Sequence, residues 1–204
     1  LYEDIRNLGM ENVELFPKKE KLFYDIDASS FEYLNQRLRV ISKLLAGEET
    51  IVIASLESLV DKISTREIYE SCTQEIDYET VVDLDKVVRN LILAGYERVH
   101  MVEGVGQFSL RGGIIDIFAP NNQNPYRIEL FDDEVDSIRT FDVITQRSLE
   151  AVESITIPPV KELLILDEYR DIMCDNLKSE LVSHNYQAKT IEKYERYLEL
   201  LQEK

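Results

Sequence analysis

Between Gly104 and Gly113 the chain concentrates four of its seven glycines, with Arg111 among them and the apolar run GIIDIF directly behind. Glycines at this density suit two chemistries. The first is a phosphate cradle. A P-loop needs G-x-x-x-x-G-K-[ST], because the lysine reaches the phosphates and the hydroxyl holds magnesium. The stretch GVGQFSLRGG has neither that lysine nor the hydroxyl after it. A dinucleotide fingerprint sets its glycines between a strand and a helix. Here GVGQFS lacks the last glycine and runs into strand-forming sequence. The second chemistry is structural, with glycines at a bend or bulge where strands meet. Two glycines after Arg111 remove bulk beside it, leaving its guanidinium accessible and letting another backbone approach closely.

Other candidate sites are weaker. The acidic run FDDEVD (131–136) has metal-ligating side chains, but Asp-Asp-Glu is also what a tight hairpin turn looks like. It lacks the spacing of an EF-hand loop, and the turn is the expectation. Cys72 and Cys174 lie far apart, no C-x-x-C is present, and His100 and His184 do not complete a ligand set with them. A reducing cytoplasm is the expected compartment. No serine sits in a G-x-S-x-G setting. These residues lead to no expected catalytic site, cofactor or metal.

The totals bound the classes. The chain has 204 residues, 44% hydrophobic and 31% charged, the balance of a globular protein. Its net charge of −17 argues against broad contact with nucleic-acid phosphates and suits a solubilising surface. No run approaches the ~20 apolar residues of a membrane helix, so no membrane partner is expected. The opening LYEDIRNLGM is acidic and amphipathic, unlike a secretory leader, and carries no initiating Met. The expectation is a piece of a longer chain.

The elements that must position these residues change style along the chain. ENVELFP reads as a short strand stopped by Pro17. SSFEYLNQRLRVISKLLAGEE reads as a helix, with Ser29 and Glu32 in a capping-box pattern and Phe31, Leu34, Leu38, Ile41 and Leu45 on one face. TIVIAS follows as a fully apolar strand and SLESLVDKI as a short helix, together the pattern of a parallel α/β layer. Beyond residue 70, DLDKVVRNLILAGY predicts a helix burying Leu84, Val87, Val88, Leu91 and Ile92 and stopped by Gly95. RVHMV, GQFSLRG, GIIDIFA, YRIELF and DSIRTF then read as strands in tight antiparallel succession. Two helices close the chain, over about 161–183 and 188–203, with core-facing stripes such as Leu166, Tyr169, Met173, Leu177 and Leu181 in the first.

Alternation along YRIELF sends Tyr126, Ile128 and Leu130 to one face and Arg127, Glu129 and Phe131 to the other. The first set suits a core. The second is either a partner-binding patch, since Arg and aromatic residues are enriched among interface hot spots, or a locally satisfied face. In the latter, Phe131 tucks under a helix and Arg127 pairs nearby. Arg111 is likewise either part of the patch or a surface arginine without a partner.

The string GQFSLRGGIIDIFAPNNQNPYRIELFDDEVDSIRTFDVITQRSLEAVESITIPP, with YDIDASSFEYLNQRL upstream, resembles the UvrB-homology module of bacterial transcription-repair coupling factors, over most of residues 1–160. UvrB itself fits less well, and a UvrB-type fragment that binds damaged DNA is the alternative. The resemblance implies an α/β fold: a partial RecA-like parallel domain lacking a P-loop (1–72), an inserted mixed α+β domain 2 with an antiparallel-rich sheet (73–158), and a helical return segment (159–204). It implies a non-catalytic module that recruits UvrA through Arg111, Arg127 and Phe131. The whole factor is then expected to be a cytoplasmic ATP-driven DNA translocase. ATP and Mg, DNA and RNA polymerase would be handled by its other domains, which would also contact this module. Where the family usually has Phe before the last Phe of that strand, this chain has Leu130.

Overall fold

Local signals become six helices and ten strands among the residues described by the computed structural model, 1–19, 28–184, 186 and 188–202. They fall into two compact units, Leu1–Leu164 and Ile165–Lys204. The first unit opens with α1 (Tyr2–Asn7), β1 (Val13–Phe16), α2 (Ala28–Leu45) and β2 (Ile51–Ala54). β1 and β2 pair in parallel, Val13 opposite Ile51, as a strand-helix-strand connection requires. α2 buries Leu38, Val40 and Ile41. The capping-box reading at Ser29 concerns the entry of this helix, which, like residues 24–27 of the resembling stretch, falls outside the described residues. The apolar strand β2 is less buried than its composition implies, with Ile51 43% exposed. Among the described residues its sheet has only two strands, so β2 is not enclosed on both sides.

After a 3-10 turn (Leu56–Leu59) capped by Ser55 come α3 (Arg66–Cys72), β3 (Gln74–Asp77) and α4 (Leu84–Leu93). The Asp83 carboxylate caps α4 by accepting from the Lys86 N–H at 3.0 Å. Gly95 ends it as expected. Its φ of +97° permits the Schellman pair, Tyr96 N–H to Leu91 O and Gly95 N–H to Ile92 O. Val87 and Leu91 are buried with Leu84 and Val88 beside them, but Ile92 is exposed. One residue further round the helix from Leu91, Ile92 has passed the edge of the contact.

β4 (Glu97–Arg98), β5 (Gln107–Arg111), β6 (Ile114–Ile117), β7 (Tyr126–Phe131), β8 (Glu134–Phe141) and β9 (Ser148–Ala151) form one sheet in chain order. From β5 to β9 it is the antiparallel meander that the short loops imply. β4 differs: it is two residues long and runs parallel to β5. Val99 N–H still donates to Phe108 O at 2.8 Å, but beyond it the stretch leaves the ladder, with His100 and Met101 exposed and the valines turned inward. Val102 packs with Phe118 and Phe141, and Val99 and Val105 lie against them. β10 (Ser154–Ile157) returns antiparallel to β3. The main core lies between one face of the large sheet, carrying Phe108, Ile115, Ile128 and Ile138, and α4, with Ile76, Ile155 and Ile157 continuing it.

Residues 161–164 were expected to open a helix but, with 158–160, form an irregular strap. Their polar groups are taken by tertiary partners. Pro158 O accepts from the Tyr96 hydroxyl, Val160 N–H donates to Ala94 O, Lys161 O accepts from the Tyr69 hydroxyl, and Leu164 N–H donates to Ser64 Oγ. Glu162 in this strap is buried and ion-paired to Arg37 of α2, which is itself 1% exposed. Arg37 also donates to Pro17 O at 2.6 Å and Ser58 O at 3.2 Å and stacks over the Phe16 ring. Lys19 adds a second cation to Glu162 at 2.6 Å.

In the second unit, α5 (Asp167–Ser183) and α6 (Ala188–Gln202) pack on each other. The stripe expected on α5 is weakly realised: Cys174 is buried, Met173 and Leu177 are partly so, and Tyr169 is exposed. No helix among the described residues is long and apolar enough to cross a membrane.

Removing one partner of a buried, hydrogen-bonded ion pair leaves an uncompensated charge. Glu162→Ala is therefore expected to lower stability by about 3–5 kcal/mol, measured by urea denaturation. A loss under about 1 kcal/mol would contradict this role for the pair.

Candidate functional site

The outer face of the large sheet is set by alternation. Phe108 and Leu110 of β5, Ile115 and Ile117 of β6, and Tyr126, Ile128 and Leu130 of β7 belong to the core cluster. Arg111, Asp116, Arg127, Glu129 and Phe131 therefore project from the opposite face. The YRIELF assignment matches these burials, with Leu130 on the core side.

Asp116 organises this face. It is fully buried, and its register neighbours are Ser109 on β5 and Arg127 on β7. Arg127 binds it through both oxygens, Nε to Oδ1 at 2.7 Å and Nη2 to Oδ2 at 2.9 Å. Arg111 Nη2 reaches the same Oδ2 at 2.6 Å. The two arginines singled out by sequence thus converge on one carboxylate. Arg127 further donates to the Gln146 carbonyl at 3.2 Å and stacks over Phe141 with Cζ 4.4 Å from the ring centre. The Asp116 hydrogen bond holds the Arg127 pKa above its usual value. Arg127 is largely buried, its side chain 14% exposed, whereas that of Arg111 is 49% exposed. Arg111 is accordingly neither fully free nor without a partner: Asp116 pins one nitrogen and leaves much of the guanidinium open.

The glycines explain how Arg111 arrives there. Arg111 and Ile114 pair across a two-residue turn, Gly112-Gly113. Gly112 has φ +61°, the left-handed value that the first central position of this hairpin turn needs. Gly113 has a different reason. A Cβ there would come within 3.0 Å of Leu130 O, while Gly113 O accepts from the Leu130 N–H at 2.8 Å. The close backbone approach expected at this pair is that of β7.

Phe131 stands at the end of β7, four residues and roughly 13 Å along the strand from Arg127. It is 78% exposed, so it does not tuck under a helix. Asp132 and Asp133 make the expected turn, Asp132 at φ +59° and Phe131 opposite Glu134. The Asp133 carbonyl accepts from the Val82 N–H at 2.8 Å, which ties the hairpin tip down. The arrangement offers a half-open guanidinium, a second one held rigid behind it, and an exposed aromatic ring on one sheet face. Groups of that kind recognise a protein surface.

Asp116, Gln146 and Phe141 were not singled out in the sequence. Asp116 carries a legible signal, a lone acid inside GIIDIF, because a carboxylate in an apolar strand has to be paired. Gln146 and Phe141 carry none; the β8–β9 turn brings Gln146 to Arg127, and Phe141 reaches it from the end of β8.

Residues 75–163 match the family model described as the UvrB interaction domain. The chain is also 40% identical over 172 residues to a transcription-repair-coupling factor of Bacillus subtilis (strain 168), and 34% identical over 172 residues to one of Staphylococcus aureus (strain USA300). Each match covers 84% of this chain and 15% of the relative, so the chain spans a small part of the proteins it matches.

Removing Asp116 strands the largely buried Arg127 guanidinium, whereas removing Phe131 uncovers nothing. Asp116→Ala is expected to cost about 3 kcal/mol of stability, and Phe131→Ala less than about 0.5 kcal/mol, by thermal or urea unfolding. Equal effects would contradict the division between a buried clamp and an exposed tip.

Proposed function

We propose, from the match of residues 75–163 to the UvrB interaction domain family, that the chain is the part of a transcription-repair coupling factor that recruits UvrA. The observation that carries this reading is the outer sheet face, where Arg111 and Arg127 converge on buried Asp116 and the same face ends in exposed Phe131. Arg111 and Phe131 present the contact groups. Arg127, with most of its donors engaged, holds its part of the face rigid, so little side-chain freedom is lost on docking.

In this reading residues 73–158 are the UvrA-binding domain 2. Residues 1–72, with their parallel β1–β2 pair, are the latter part of a RecA-like domain, and 159–204 return as helices. The chain itself is a recruiting module without catalysis and without its own cofactor. The whole factor is an ATP- and Mg-dependent DNA translocase of the bacterial cytoplasm that acts on lesion-stalled RNA polymerase. Its contacts with polymerase and DNA, and its contacts back onto this module, belong to its other domains.

Titration calorimetry of the purified chain with UvrA tests the reading. Arg111→Ala, Arg127→Ala and Phe131→Ala are each expected to weaken binding by about 1–3 kcal/mol, with circular dichroism confirming the fold. Unchanged affinity in all three would refute it. Firm binding of the isolated chain to damaged duplex DNA would favour the UvrB-type alternative instead.

A further inference from the structure

Asp116 does not neutralise everything in its row. Ser109, Asp116, Arg127 and Arg139 lie directly opposite one another across β5, β6, β7 and β8. Ile138 beside Arg139 is a core residue, so Arg139 projects from the same outer face as Asp116 and Arg127. Arg127 and Arg139 thus form a like-charge pair at adjacent positions of an antiparallel ladder, an arrangement that destabilises a sheet.

Asp116 and the nearby Glu129 offset the charge of Arg127, but no acid among the described residues is ion-paired to Arg139. The Asp116 carboxylate is taken by Arg111 and Arg127, and Glu129 accepts from the Ser137 hydroxyl at 3.0 Å. Arg139 is exposed, and no hydrogen bond or ion pair reaches its side chain among the described residues. The chain has 40 acidic residues against 23 lysines and arginines, yet among the described residues none is ion-paired to this one. A β-branched residue at this position would serve the strand better. Departures from local preference without a structural return collect at functional sites. A guanidinium with an open fork of donors fits a carboxylate in two parallel hydrogen bonds.

We infer that Arg139 is a third contact arginine of this face, and that its end of the Asp116–Arg127–Arg139 row receives a carboxylate of the partner protein. The inference rests on the reading of this face as the UvrA-binding surface. A phosphate backbone shares the anionic chemistry, but a chain of net charge −17 repels it as a whole.

The test pairs affinity with stability, because the two move in opposite directions. Arg139→Ala is expected to weaken UvrA binding about tenfold, and Arg139→Glu to weaken it further with a slower association rate. The thermal midpoint stays unchanged or rises in Arg139→Ala, since a repulsion is removed. A lower midpoint with wild-type affinity would make Arg139 structural and overturn the inference. Wild-type affinity in Arg139→Ala, while Arg111→Ala and Phe131→Ala lose binding, overturns the role of Arg139 and leaves the UvrA reading standing. Wild-type affinity in all of them overturns both. A low-salt gel shift of duplex DNA that depends on Arg139 would replace the carboxylate partner with a phosphate one.

Discussion

Asp116 has no exposed surface, and an ionised carboxylate in that position has to be met by cations with good geometry. Much of the outer sheet face follows from that requirement. Arg127 has to lie flat against it from the neighbouring strand, and Arg111 has to reach it from the end of β5. For Arg111 to be there, the β5–β6 turn has to be short, and Gly112 and Gly113 allow it. For Arg127 to stay, Phe141 and Gln146 have to close around it. The result is a face whose charged groups are ordered before any partner arrives, which reduces the ordering cost of docking.

A second buried ion pair serves a different purpose. Arg37 and Glu162 join α2 to the strap that follows β10, and the same guanidinium holds the ends of β1 and of the 3-10 turn. The strap's remaining hydrogen bonds run to α3, α4 and the segments beside them. The parallel β1–β2 layer and the large sheet are thereby fixed within one unit by polar contacts as well as by apolar packing. Both buried pairs position chain segments; on the outer sheet face, by contrast, Arg111 and Arg139 remain open to solvent.

That contrast supports the proposed binding face. Arg37 directs its donors at protein atoms, in a site with no room for anything else. Arg111 commits one nitrogen, and Arg139 commits none among the described residues. In a chain with a large excess of acids, open guanidiniums on one sheet face, ending in an exposed phenylalanine, form a surface suited to a protein partner bearing carboxylates.

Patterns of short range were legible from the sequence alone. Asp83, Gly95 and the apolar spacing defined α4, tight loops defined the antiparallel meander, and alternation along YRIELF separated core from outer face, because each depends on neighbouring residues only. The motif carrying Arg111, Arg127 and Phe131 was likewise readable as residues. What tertiary structure alone decided was who meets whom. The helical reading of 161–166 failed because Tyr69, Ser64 and Arg37, distant in sequence, claim that segment's polar groups. Most of RVHMV left its strand because its valines bury against Phe118 and Phe141. The opposition of Arg139 to Arg127 depends on strand register, which a bulge between Glu129 and Leu130 offsets at the far end of the pair. Register and long-range hydrogen bonds follow from packing of the whole unit, and no local window of sequence contains them.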